Sequence, residues 1–146
     1  VQAVRDGACV VVYPEGTLTR DPDLWPMKGK TGAARIALAT GCPVIPVGHW
    51  GAQEILYPYA SKPDLLPRKT VVMKVGEPVD LDDLLSQAVT AATTRQATER
   101  IMAAITTLVE DLRGETAPTD RFDPKSAGVA EIGNPAKATK KRRRRP

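Results

Sequence analysis

A carboxylate and a hydroxyl follow directly on an apolar segment near the start of the chain. Glu15 and Thr17 flank Gly16, whose backbone N–H carries no side chain to hinder a ligand. The apolar residues 10–13 predict a short buried strand that ends at Pro14, because proline has no N–H to donate to a neighbouring strand. Ligands bind at the C-terminal edge of strands in open α/β sheets, so this spacing predicts a polar ligand site. The alternative is an ordinary strand and turn with a solvated glutamate.

Two lysines lie just downstream of this segment. Lys28 and Lys30 precede a helix predicted over 32–40, which is rich in alanine and ends at Gly41. The N-terminus of a helix presents free N–H groups and a partial positive charge. The lysines and this helix end therefore predict a place for an anionic headgroup. The Gly-Lys-Thr sequence at 29–31 does not make a phosphate-binding loop of the Gly-x4-Gly-Lys-Thr type. That loop requires a glycine at position 24, where this chain has Leu24.

The apolar pattern of the remaining chain predicts the elements that position these residues. Residues 43–47 and 70–75 are predicted strands, and we expect 43–47 to run parallel to the strand over 8–13 through the helix between them. An amphipathic helix is predicted over about 94–113, with its apolar face on the sheet. These elements predict an α/β fold with a mostly parallel sheet flanked by helices. Residues 54–67 are expected as a loop over the ligand-binding edge.

The composition divides the chain into a body and a tail. The net charge is +4, but seven cations lie among the last eleven residues, which contain no acid. The rest of the chain holds 14 basic and 17 acidic residues, a net charge of −3. After Gly114 the chain is rich in prolines and charges and has few large apolar residues. We therefore expect one domain over 1–114 and a disordered tail over 115–146 that ends in a polybasic run.

The cysteines and the hydropathy pattern limit the cellular setting. Cys9 and Cys42 lack the spacing of a metal site or a redox motif, and we expect two buried thiols rather than a disulfide. Free thiols are typical of a reducing, cytoplasmic compartment. No apolar run reaches the roughly 18 residues of a spanning helix, and no signal peptide is recognisable.

Several blocks of this sequence resemble the glycerolipid acyltransferases, the enzymes that acylate glycerol-3-phosphate and lysophosphatidate. The blocks come in the family's order within residues 1–114: the aromatic-Pro-Glu-Gly-Thr motif at 13–17, a lysine- and glycine-containing element at 27–32, a Pro-Val-Ile-Pro-Val strand at 43–47, and Gly-Glu-Pro at 76–78. The resemblance implies the C-terminal part of a glycerolipid-acyltransferase fold. It also implies acyl transfer from acyl-CoA or acyl carrier protein to a glycerol phosphate lipid, without a bound cofactor or metal.

The resemblance further implies which residues bind the acceptor. The five predicted substrate-binding residues are Glu15, Gly16, Thr17, Arg20 and Lys28. The first three would position the acceptor. Arg20 and Lys28 would bind its phosphate, because Leu18 stands where the family usually has an arginine for that purpose. Alternatively, Glu15 pairs with Arg20 and anchors the loop.

The catalytic block of the family has no counterpart here. That block is His-x4-Asp upstream of Pro-Glu-Gly-Thr, whereas this chain has a single histidine, His49, downstream of it. Glu54 follows at the matching offset, but the chain order is wrong, and we interpret the spacing as coincidence. We therefore predict no catalytic residue in this chain, and no activity of the chain by itself. Trp50 is predicted either to line an acyl or acceptor pocket or to pack against the core.

The polybasic run, from Lys137 to Pro146, leaves other functions open. Cations near an anionic membrane surface contribute roughly 1 kcal/mol each, so a non-catalytic lipid-binding module is the alternative to an acyltransferase. A solvated tail without a role is a further alternative. Specific nucleic-acid binding is not expected, because no stacking aromatics are interleaved with the cations. We expect a peripheral protein at the cytoplasmic face of the plasma membrane.

Overall fold

The computed structural model describes residues 1–130 and Gly133. The elements in chain order are α1 (Gln2–Arg5), α2 (Gly32–Thr40), β1 (Val47–Trp50), α3 (Ala52–Ile55), β2 (Val72–Val75), α4 (Asp82–Leu85) and α5 (Ala91–Arg113). The predicted α/β class is confirmed, since helices pack with a small sheet.

The long helix α5 begins and ends at local sequence signals. The Thr90 hydroxyl accepts from the Thr93 backbone N–H at 3.2 Å, and the Thr93 hydroxyl receives the Thr90 N–H at 2.9 Å. This reciprocal cap starts the helix three residues before the predicted position 94. Gly114 ends it with a φ of 66° and donates its N–H to the Glu110 carbonyl. The predicted extent of α2, ending at Gly41 with a φ of 68°, is confirmed.

One sheet forms in the part of the chain that the structure describes. Strands β1 and β2 run antiparallel, with Val47 opposite Val75 and Trp50 opposite Val72. The strand predicted over 43–47 starts later, because Pro46 has no N–H to donate. Helix α5 packs directly on β1 at Gly48, where an added Cβ would lie 2.8 Å from the Cβ of Leu108.

The predicted parallel pairing is wrong for the described residues. Residues 8–13 form no strand and pair with no other segment of residues 1–130, and Val11 and Tyr13 are 80% and 76% exposed. Their composition favours a strand, but a strand requires a neighbour, and pattern alone does not supply one. Directly after this segment, the Pro14 carbonyl accepts the Lys30 N–H at 2.7 Å.

The core lies between α2, α4 and α5. Small side chains on α2 allow close approach to α5, and α4 adds leucines; the buried cluster is Ala34, Ala37, Leu38, Leu81, Leu84, Ala97 and Ile101. A second buried group, beside the loop before α2, contains Met27 and Met102. Gly29 lies so close to Met102 that an added Cβ would be 2.7 Å from its Cγ. The loop over 14–30 is therefore held against α5.

Part of the predicted tail packs on the body. The Phe122 carbonyl accepts the Lys28 N–H at 3.0 Å, and Arg121 pairs with Glu99 of α5. Residues 121 and 122 therefore contact the body although composition predicted disorder there, because these contacts use backbone and charged groups rather than large apolar side chains. The polybasic run after Lys137 lies outside the described residues.

Two smaller expectations concern the thiols and the membrane. The prediction of two buried thiols is wrong for Cys9, which is exposed because its segment has no neighbouring strand, while Cys42 is half-buried. Within residues 1–130, no helix combines the length and the hydropathy needed to cross a bilayer.

Candidate functional site

The Pro-Glu-Gly-Thr segment is fixed to the loop that follows it. Glu15 Oε2 accepts the backbone N–H of Met27 at 3.1 Å, and the Met27 side chain is 1% exposed. Burial of the Glu15 carboxyl raises its pKa above the ordinary value; the Met27 N–H opposes this shift and the nearby Asp21 carboxylate adds to it. Glu15 therefore closes the loop over 15–27. No ion pair between Glu15 and Arg20 forms among the described residues, so the predicted anchoring role is met through Met27 instead.

Gly16 forms a tight turn directly after Glu15. Its φ of 68° is in the left-handed region that glycine adopts readily, and its N–H donates to the Tyr13 carbonyl at 3.0 Å. The turn uses this N–H as a donor, and the predicted role of Gly16 in acceptor binding stays a prediction. Lys30 lies over the glycine, with its Nζ and Cδ 3.3 Å from where a Cβ would stand. The turn thus brings an ammonium group beside the motif.

Thr17 and Arg20 both contact Tyr59, which sequence reasoning did not select. The Thr17 Oγ1 and the Tyr59 hydroxyl lie 3.3 Å apart, and that hydroxyl also lies 3.4 Å from the Leu18 carbonyl. The Arg20 guanidinium carbon lies 5.1 Å from the centre of the Tyr59 ring, within cation–π range. The loop predicted over 54–67 therefore does cover this site. No local motif marks Tyr59, because its partners are distant in sequence.

The Arg20 guanidinium has unused donors. Its Nη2 donates to the Gly133 carbonyl at 2.8 Å, and its backbone N–H points at the Met27 sulfur at 3.1 Å. Nε and Nη1 are buried and meet no acceptor in the described part of the chain. Buried donors that lack a partner are costly, and charged ones more so. Two guanidinium nitrogens of Arg20 therefore have no acceptor among the described residues.

Lys28 is engaged elsewhere. Its Nζ pairs with Asp123 at 3.3 Å, and its side chain is 59% exposed. The Lys125 backbone N–H, together with Lys28, lowers the pKa of the Asp123 carboxyl. No contact in residues 1–130 joins Lys28 to Arg20, so the predicted role of Lys28 in phosphate binding stays a prediction.

The only histidine does not form a catalytic pair in the described structure. His49 is exposed on β1 opposite Met73, and its side chain makes no hydrogen bond within residues 1–130. Trp50 instead packs against Arg113, whose guanidinium carbon lies 4.3 Å from the Trp50 ring centre and 3.7 Å from that of Trp25. Of the two interpretations of Trp50, this contact favours packing.

Comparison with known proteins gives a family match over this same segment. The family model described as Acyltransferase matches residues 1–50, which contain the Pro-Glu-Gly-Thr turn and Arg20. A stretch of 56 residues is 41% identical to the chloroplastic 1-acyl-sn-glycerol-3-phosphate acyltransferase BAT2 of Brassica napus. Residues 1–50 are thus similar in sequence to an acyltransferase family, and we name them the acyltransferase region after that match. The resemblance predicted from the motifs is confirmed for these residues.

The coverage of these matches is partial. The BAT2 match includes 38% of this chain and spans 16% of the length of BAT2. No solved structure gives a significant match. Within the acyltransferase region lie Glu15, Gly16, Thr17, Arg20 and Lys28, whereas Tyr59 lies after the part that the family model matches.

Proposed function

We propose that this chain provides the acceptor-binding part of a glycerolipid O-acyltransferase. The reaction would transfer an acyl group from acyl-CoA or acyl carrier protein to a hydroxyl of lysophosphatidate or a related glycerol phosphate. The observation that carries the proposal is the Arg20 guanidinium, whose buried Nε and Nη1 meet no acceptor among residues 1–130. A phosphate oxygen is a stronger acceptor for either nitrogen than a neutral group is, because hydrogen bonds between charged partners are stronger. The family match over the same loop supports that ligand.

The proposed roles differ among the five residues. Glu15 holds the loop through Met27, which keeps Arg20 in place. Thr17 presents its hydroxyl beside Tyr59 at the mouth of the site. Lys28 remains a proposed phosphate ligand, and Lys30, which lies over the Gly16 turn, supplies a further positive charge. The site is thus a loop fixed by hydrogen bonds, with cationic groups facing the ligand.

The chemical step requires a base that removes the proton of the acceptor hydroxyl. His49 is exposed and makes no side-chain hydrogen bond to the described residues, so nothing orients it for this role. We propose that the base comes from a His-x4-Asp block outside these 146 residues, and that the chain alone does not turn over. We also propose a peripheral location at the cytoplasmic face of the plasma membrane, where a lipid acceptor is available.

Binding of glycerol-3-phosphate tests the acceptor site without requiring turnover. Titration calorimetry or amide NMR shifts should report binding to the full chain. Arg20→Ala should weaken it by about 10- to 150-fold, since hydrogen bonds to a charged group contribute about 1.5–3 kcal/mol. Arg95→Ala, at an exposed position on α5, is the matched control and should leave the affinity unchanged. Equal affinity of the Arg20 variant and the parent chain would contradict the proposal.

Activity assays distinguish the enzyme from a non-catalytic lipid-binding module. Acyl-CoA and lysophosphatidate should give no product with the chain alone, and product should form when a segment with His-x4-Asp is supplied upstream. Turnover by the chain alone that is lost in His49→Ala would assign the base to His49 instead. If no form of the protein turns over, while deletion of residues 137–146 abolishes vesicle binding, the binding module is the better description.

A further inference from the structure

The segment over 56–69 exposes large apolar side chains in one place. The Asp64 N–H donates to the Ile55 carbonyl at 2.7 Å, which closes the segment on itself. Leu56 and Leu65 directly follow these two bonded residues, so both lie close to the point of closure. The apolar side chains so placed, with their exposed fractions, are Leu56 (48%), Tyr57 (54%), Leu65 (64%) and Leu66 (80%). We name these four side chains the 56–66 apolar tip.

The charges around this tip are mainly positive. Lys62 and Arg68 are exposed, and Lys69 pairs with Asp64, the one acidic residue of the segment, at 3.1 Å. The ion pair neutralises Asp64, so Lys62 and Arg68 determine the charge of the rim. An apolar, tyrosine-containing surface with a cationic rim is suited to the headgroup region of an anionic bilayer.

We propose that the 56–66 apolar tip inserts into the interface of an anionic phospholipid bilayer. The charge pattern selects this occupant: a bilayer offers apolar depth to the leucines and phosphate groups to Lys62 and Arg68. The open face of the sheet, which includes Val47 and Met73, also exposes apolar groups but is not part of the proposal.

The position of Tyr59 connects this surface to the Arg20 site. Tyr59 lies between the two halves of the tip in sequence and packs its ring over Arg20. A bilayer at the tip would therefore lie next to the loop that carries Arg20. This docking does not depend on acyl transfer or on the polybasic run. It can therefore be tested separately from the proposed function.

Vesicle sedimentation of the full 146-residue chain tests the surface. The vesicles contain equal parts of phosphatidylglycerol and phosphatidylcholine. Leu65→Ser/Leu66→Ser should lower the partition coefficient by about tenfold or more, because both leucines lose their apolar area in the bilayer. The control is Val11→Ser/Met73→Ser, whose parent residues are 80% and 69% exposed and lie outside the tip. It should bind within about twofold of the parent chain.

A separate pair of substitutions tests the contribution of the positive charges to vesicle binding. Lys62→Gln/Arg68→Gln should weaken binding to the anionic vesicles severalfold and leave binding to pure phosphatidylcholine unchanged, because only the former carries a surface potential. Deletion of residues 137–146 should leave a residual binding that still depends on Leu65 and Leu66. Loss of all binding on that deletion would overturn the proposal.

A tryptophan introduced at the tip reports insertion into the bilayer directly, so this test does not rely on loss of binding. Leu66→Trp should show a blue-shifted emission with vesicles and quenching by brominated lipid, whereas Val11→Trp should show neither. An unquenched tryptophan at position 66 would overturn the proposal. So would a dimer in solution that disappears in Leu65→Ser/Leu66→Ser while vesicle binding persists, since a second copy of the chain would then be the occupant.

Discussion

The Tyr59 ring lies under the Arg20 guanidinium, with 5.1 Å between the ring centre and the guanidinium carbon. This contact joins a residue of the acyltransferase region to a loop beyond it. It also limits the rotation of a side chain whose Nε and Nη1 meet no acceptor among residues 1–130. Tyr59 is therefore a positioning residue for the proposed acceptor site.

The ring and the hydroxyl of Tyr59 can be separated by substitution. Tyr59→Leu should weaken glycerol-3-phosphate binding about two- to fivefold, because an exposed cation–π contact contributes about 0.5–1 kcal/mol. Tyr59→Phe keeps the ring and should recover most of the affinity. Tyr57→Leu, on the same loop but without a contact to Arg20, is the control. Equal losses in the leucine and phenylalanine variants would mean that the hydroxyl, not the ring, positions Arg20.

Glu15 should make stability depend on pH in a defined direction. Its folded pKa is raised above the unfolded value of 4.5, so between the two values the folded chain binds more protons than the unfolded chain. The free energy of unfolding that protonated Glu15 contributes is therefore present at low pH and is lost as pH rises through the folded pKa.

Glu15→Gln removes this titration while its amide oxygen can still accept the Met27 N–H. Relative to the parent chain, the variant should gain stability as pH rises above about 4.5 and then reach a plateau. Urea unfolding across this range measures the difference. Glu54→Gln, at an exposed position of α3, is the matched control. A variant that instead loses relative stability with rising pH would mean that Glu15 is held in its charged form.

The close packing of β1 on α5 predicts a sensitive glycine. Gly48→Ala would place a methyl group 2.8 Å from the Cβ of Leu108, so it should lower the free energy of unfolding by about 1–3 kcal/mol. Gly32→Ala is the control, since nothing lies within 4 Å of its added Cβ. Thermal unfolding of both variants checks this. Equal stability of the two would show that α5 can shift away from β1.

Arg113 should contribute to stability through the two tryptophans of the chain. It lies between Trp25 and Trp50, and its Nη1 donates to the Asp23 carbonyl at 2.8 Å. Arg113→Ala should cost about 2 kcal/mol, from the lost cation–π contacts and hydrogen bond. It should also change the fluorescence of both rings. Unchanged fluorescence together with unchanged stability would contradict this packing.

Elements with local signals were predictable from the sequence. The period of apolar residues gave α2 and most of α5, and Gly41 and Gly114 mark their ends. The apolar pattern does not mark the Thr90 cap, so the predicted start of α5 lies three residues late. Helical hydrogen bonds join neighbours in sequence, which is why this part of the fold follows from pattern.

Contacts between distant residues were not predictable in the same way. The segment over 8–13 has the composition of a strand, but no neighbour in the described residues makes it one. The family motif selected Glu15 and Arg20, but it did not show that Glu15 binds Met27 or that Tyr59 lies against Arg20. The Arg113 contacts likewise join three parts of the chain, and no spacing rule describes them.

The position of α5 in the chain has a consequence for synthesis. This helix packs against α2, β1 and β2, all of which precede it. The apolar surfaces of those elements have no cover until α5 has left the ribosome, because the residues that cover them are translated afterwards. Nascent chains that end before Ala91 should therefore be open to protease and should engage chaperones. Resistance to cleavage should appear only once the ribosome has moved well beyond Arg113.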